Sequence, residues 1–205
     1  MGKKNRKNSK AMGASRGPAS GNLFASPIFL RIAAFVCDYL MLLVITVALT
    51  MLPFYYLTGG GVTASIADYA TIGFGVPVVV GIALAATALS WVYCALLPAT
   101  AWSGRTLGKR WTNTEVVMVD GSPAGLGRLT LRWLFMLVAE APALFATIDL
   151  RQLFGLLGFD AAANVWNIAS WVVLAASFIM MLGTDYHQSL HDRLLGTWVW
   201  NGNGN

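Results

Sequence analysis

Between Pro27 and Leu52 the chain reads PIFLRIAAFVCDYLMLLVITVALTML, 26 almost unbroken apolar residues that nonetheless carry an arginine and an aspartate. A helix needs ~20 apolar residues to cross the hydrocarbon of a bilayer, so this run is long enough to span with some tilt. Ser26 is placed to cap it and Pro27 to occupy its first turn. Arg31 and Asp38 stand seven residues apart. That spacing puts them near one helix face, roughly 10 Å apart along the axis. An ionisable group inside a span costs at least ~2.5 kcal/mol, so each needs a reason to be there. For Arg31 a plain alternative exists, a snorkelling anchor one turn inside the interface. Asp38 is deeper and shorter, and it needs a partner, a proton or an ion.

The rest of the composition extends the same reading. Hydrophobic residues make up 57% of the chain and charged residues only 11%, against about 25% charged in an ordinary globular domain. A polytopic membrane protein is therefore expected. The net charge of +5 does not call for nucleic acid, because the basic residues are distributed as topology would place them and are not gathered on a soluble face. Cys37 and Cys94 both fall in apolar runs and read as small buried residues, with no disulfide framework or metal site in their spacing. The first apolar run exceeds a signal-peptide core and no small-residue cleavage site follows it, so it is expected to be retained.

Taken in order, residues 1–22 are polar and basic, with no acidic residue, and read as a disordered tail that sets topology. The first span ends near Pro53. A second is expected at about 71–97, with Gly73, Pro77, Gly81 and Ala85 four apart as a close-packing stripe and Pro77 as a kink. From Pro98 to Arg128 the text changes character. Residues 103–111 suggest a short interfacial helix capped by Thr106, Glu115–Val119 a short strand, and Asp120-Gly121-Ser122-Pro123 a turn. A third span is expected at 129–148, although Glu140 and Pro142 allow a re-entrant segment instead. Residues 149–163 read as a loop on the membrane surface and 164–183 as a fourth span. Thr197–Trp200 is strand-like, and 201–205 is a flexible tail. Of the 14 Lys and Arg, 13 lie in the amino tail, in 98–132, in the carboxyl tail or at Arg31, and only Arg151 lies on the other side. The positive-inside rule then puts both termini in the cytoplasm.

Four segments, in order, resemble the RDD family of bacterial membrane proteins, which is named for one arginine and two aspartates. They are Arg31-x-x-Ala34-x-x-x-Asp38, then Gly104-x-Thr-Leu-Gly108-Lys109-Arg110, then Val-Val-Met-Val-Asp120-Gly-x-Pro, and Leu190-His191-Asp192-Arg193-x-x-Gly196-Thr197. Arg31 and Asp38 match the first two named residues, and the second aspartate falls at Asp192. The resemblance covers about residues 24–200. It implies a bacterial inner-membrane location and a transport role, with cation/proton antiport proposed for some members. Trp111-Thr-Asn departs from the more aliphatic residues of the family at that place.

The chemistry on offer is that of carboxylates. Asp38 and Glu140 lie in different spans, and desolvation favours the protonated form of such groups, so together they are candidates for a proton or monovalent-cation site. The structural alternative is a buried ion pair or hydrogen-bonded group that fixes helix register, Arg31 with Asp192 or Asp38 with a backbone donor, and Arg31, Asp38 and Asp192 are candidates for one polar cluster at the cytoplasmic boundary. His187 and His191, with Asp185 and Asp192 nearby, have a spacing that permits two metal ligands, but no third ligand is evident and no metal is expected. No nucleophile elbow, phosphate loop or paired-cysteine motif occurs, so neither an enzyme nor a cofactor is expected.

The expected fold is thus an all-α integral membrane protein with four transmembrane helices, in a domain spanning 23–200, and a small cytoplasmic cap of an interfacial helix and short strands. The partners are the lipid bilayer, a homo-oligomer or other membrane proteins, and a monovalent cation or proton. Two functions are open, a small secondary transporter and a non-transporting scaffold or accessory subunit. No internal repeat is evident, and transporters commonly build their site between repeats, so transport would favour an oligomer.

Overall fold

The computed structural model describes residues 27–63, 65–184 and 187–201. The basic tail at 1–22, the Ser26 cap, Asp185 and the end of the chain beyond 201 lie outside the described residues.

Helix α1 runs from Pro27 to Thr58 and passes through Pro53, five residues beyond the end expected there. Proline removes one N–H, which a helix shielded from water tolerates. The stop comes instead at Gly59 and Gly60, whose φ of +68° and +123° end the helical path. Buried residues recur every fourth position along α1: Ala34, Asp38, Leu42, Thr46, Thr50 and Phe54. Each step of four overshoots a full turn by ~40°, so this stripe winds round the helix and meets different neighbours at its two ends.

After α2 (Asp68–Thr71), α3 (Val76–Trp91) continues through a π-helical turn at Val92–Leu96 into α4 (Leu97–Thr100). Pro77 lies in the first turn of α3, where its missing N–H costs nothing, so it starts the helix and does not kink it. The expected Gly73/Pro77/Gly81/Ala85 stripe is not the packing face. Gly73 precedes the helix with φ +89°, a Cβ at Gly81 would meet nothing within 4 Å, and the buried positions are Val79, Ala83, Ala86 and Ser90.

The five-residue helix α5 (Leu107–Trp111) and strand β1 (Thr114–Met118) follow. Helix α6 (Leu126–Phe135) then runs through a second π-helical turn at Met136–Glu140. Each π turn stands two residues before a proline, Pro98 or Pro142, whose absent N–H disturbs the ladder. At Pro142 the helix stops: Ala141 leaves the helical region with φ −122° and ψ 62°, as the residue before a proline is pushed to do. The chain becomes helical again only as α7 (Phe145–Leu156). The continuous third span expected at 129–148 is therefore two shorter helices. The loop expected at 149–163 is largely helix, because α7 reaches Leu156 and α8 (Asp160–Gly183) begins at Asp160. Three helices among the described residues are long and apolar enough to cross a membrane: Ile28–Thr58, Val76–Thr100 and Asp160–Gly183.

After α9 (Leu190–Leu195), Gly196 takes φ +62° and turns the chain into β2 (Thr197–Asn201). Strands β1 and β2, the two runs read as strand-like, pair antiparallel from Thr114↔Asn201 to Met118↔Thr197. With α5 and α9 they form a cap at one end of the helices, hereafter the cap end. At the far end Gln152 Oε1 accepts from the Ser65 hydroxyl and the Ile66 N–H, both at 3.0 Å. There Phe54, Ile66, Tyr69, Val79, Ala83 and Leu153 make an apolar core. Large apolar side chains face outward along α1 and α8, among them Phe35, Val44, Val165, Ile168, Val172 and Ile179, which is the surface a lipid bilayer covers.

Candidate functional site

Two buried polar networks fasten the cap to the helices. The first is built on Asp38. One carboxylate oxygen accepts the Tyr93 hydroxyl at 2.6 Å and the backbone N–H of Gly108 at 2.8 Å. The other accepts the Thr106 hydroxyl and has the Lys109 ammonium 3.5 Å away. Thr106 does hold the cap position of α5, in extended backbone, yet its hydroxyl caps none of the backbone N–H groups of that helix and accepts instead from the Lys109 side chain, at 3.3 Å. The carboxylate of α1 caps α5 in its place, satisfying an N–H that the short helix leaves open. The approach is close enough to require glycine. A Cβ on Gly108 would stand 2.2 Å from the Ala34 carbonyl oxygen and 2.9 Å from the Asp38 carboxyl carbon. The small residues Ala34 and Gly108 thus let α5 lie directly on α1.

The second network surrounds Asp192, which is fully buried at the start of α9. Arg31 from α1 and Arg132 from α6 each donate to one of its oxygens. Ser189 and Thr197 complete it, their hydroxyls at 2.8 and 3.1 Å. Arg31 also donates to the His187 carbonyl, and Arg132 to Thr197 Oγ1 at 3.0 Å. Burial opposes charge on Asp192, but Arg132 and then Arg31 outweigh it and hold the carboxyl far below the usual carboxylate range.

Next to it, Glu140 at the end of the π turn accepts from the His191 ring and, at 3.3 Å, from the His191 backbone N–H. Burial, with Arg132 adding to it, pushes the His191 imidazole below its ordinary value. That shift favours the neutral ring, whose Nδ1–H donates to the carboxylate. Two guanidinium groups thus face two carboxylates across the imidazole.

The structure brings Arg31 and Asp192 together and places Asp38 elsewhere, with α5. Asp38 and Glu140 likewise belong to separate networks, each engaged by donors of the cap. The two histidines diverge: His191 turns to Glu140, and His187 Nδ1 lies 3.1 Å from the Met181 carbonyl. Among the described residues no three metal-capable side chains converge.

The sequence reading missed Arg132, Tyr93, Lys109 and the role of His191. Arg132 had a signal, an arginine inside a helix boundary as Arg31 is, but it was counted as topology alone. It also missed Asp149. That residue sits on α7, buried to 1% exposure, and its Oδ2 has no hydrogen-bond partner among the described residues.

The comparison with curated proteins gave no match, and neither did that with solved structures. A family model does match, over residues 25–196, and its description is the RDD family. With Arg31, Asp38 and Asp192 at the centres of the two networks and the match running over most of the chain, this membrane protein belongs to the RDD family.

Proposed function

We propose that this chain is a non-enzymatic membrane scaffold or accessory subunit, and that its named charged residues hold a cap on a helical bundle and move no ion. One observation carries the reading. Every carboxylate oxygen of Asp38 and Asp192 already faces donors, and a tethered ammonium, that of Lys109, stands beside Asp38 where an exchanging cation would have to sit. Exchange through Asp38 requires that shell to open, and buried polar networks of this kind are costly to half-break.

The orientation follows the charge. The cap end holds the basic residues of 98–132 and Arg193, and the far end holds Arg151, so the cap faces the cytoplasm of a bacterial inner membrane. Helices α6 and α7 cross together as one broken span, since Arg132 is tied to the cap and Gln152 to the far-end loop. Four crossings then leave both termini inside.

Cation/proton exchange is the second reading, and Asp149 is what favours it, as a buried carboxyl whose Oδ2 has no hydrogen-bond partner among the described residues. Flux in proteoliposomes separates the two. Absence of proton-coupled Na⁺, K⁺ or Li⁺ flux above the empty-vesicle background supports the scaffold. Proton-coupled flux above that background refutes it, whether Asp38→Asn or Asp149→Asn abolishes that flux.

A further inference from the structure

Asp149 stands apart from the other buried acids. Asp38, Glu140 and Asp192 each sit in a shell of donors, whereas Asp149 Oδ2 is buried with none among the described residues. It lies on the inner stripe of α7 between Ala146 and Leu153, both buried, and Leu153 belongs to the far-end apolar core.

No counter-charge comes from the elements packed on α7. Helix α3 has no titratable side chain between Val76 and Trp91. On α8 the only charge is Asp160, itself acidic. Glu140, on the preceding π turn, is taken by His191, and the charges of α1, Arg31 and Asp38, belong to the cap-end networks. At the far end the hydroxyl of Tyr69 donates to the Thr50 carbonyl, and Asp68 accepts from Thr63. Arg151, two residues on, turns away to Asn167 and the Pro142 carbonyl. An ionised carboxylate in such surroundings loses its hydration and gains nothing in return, while the neutral acid loses far less.

An opening to the surface lies near this position. An open depression of about 500 Å³ at the far end is lined by polar side chains, Arg151, Gln152, Asp160, Asn164 and Asn167, together with apolar Ala67, Leu156 and Ala163. Gln152 is one helical turn along α7 from Asp149.

We propose that Asp149 is a proton-binding site: its carboxyl holds a proton at neutral pH in the half of the bundle away from the strand cap, and the far-end depression gives that proton its way in and out. The site goes beyond the scaffold reading and does not depend on it. If the chain also moves cations, Asp149 is the exchanging group and Asp38 is not.

Infrared spectroscopy of the full chain in an ester-free detergent tests this. At neutral pH the wild type is expected to show the C=O stretching band of a protonated carboxylic acid, and Asp149→Asn is expected to remove it. Should Asp149→Asn not fold, Asp149→Glu is expected to shift the band. Absence of the band in the wild type, or a band left unmoved by both substitutions, overturns the proposal. Neither result depends on flux, so the proton site and the scaffold reading stand or fall separately.

Discussion

The backbone N–H of Gly108 donates to the Asp38 carboxylate at 2.8 Å, so a helix long enough to cross a membrane caps the five-residue helix that follows the second long one. With Ala34 beneath, this contact sets how closely the cap approaches the bundle, and it joins two motifs that are 70 residues apart in the chain.

Gly108→Ala is expected to destabilise the protein. The added methyl would lie 2.2 Å from the Ala34 carbonyl oxygen, which is backbone and cannot swing aside. Overpacking of this kind costs about 1–3 kcal/mol, and it would part Asp38 from α5 as well. Gly127→Ala is the control, since a Cβ there meets nothing within 4 Å and an exposed helical alanine is favourable. Thermal unfolding in detergent should separate the two variants clearly.

Asp192→Ala leaves Arg31 and Arg132 facing one another without their shared carboxylate. Removing one member of a buried pair costs about 3–5 kcal/mol. The expected result is loss of folded protein from the membrane, and recovery of material at wild-type yield and melting temperature would refute the network's structural role.

Stability should also fall on acidification, for two separable reasons. His191 is held neutral in the folded state, so below about pH 6.5 the unfolded chain takes up a proton that the folded chain refuses. Asp192 is held charged, so its contribution is present above about pH 3.9 and is lost as pH drops further. His191→Gln is expected to flatten the decline between about pH 7 and pH 5 and to leave the more acidic one in place. Melting temperature against pH for both proteins checks this.

Ending the chain at Gly196 removes β2 and with it the partner of every residue of β1 from Thr114 to Met118. What is left to β1, a bridge from Val117 to Pro123 and backbone bonds to Gly104 and Ser122, is too little to hold a strand in place. Protease sites between residues 103 and 125 are expected to open in the shortened protein, and an unchanged digestion pattern would show that β1 holds without its partner.

Much of this was legible in the sequence where local signals were strong. The first span and the β-branched and aromatic runs at 115–119 and 197–200 came from hydropathy and strand propensity, and Asp192 came from the family resemblance. The third segment was not legible. Hydropathy could not distinguish an unbroken helix from one halted at Pro142, because lipid-like surroundings sometimes tolerate proline and sometimes do not. For Asp38 a backbone donor was one of two structural readings, beside a shared cluster with Arg31 and Asp192, but which donor was not legible: Gly108 lies 70 residues away, and a backbone N–H leaves no trace in composition. Asp149 was hidden by a boundary error, since a residue assigned to a surface loop needs no partner.

The central claim is that Asp38 is a fixed cap for α5, and hydrogen exchange at the Gly108 amide tests it most directly. In the wild type the peptide covering residues 104–112 is expected to exchange slowly, and in Asp38→Ala that protection should be lost while the peptides of α8 stay protected. Equal protection of the Gly108 amide in the two proteins would contradict the account.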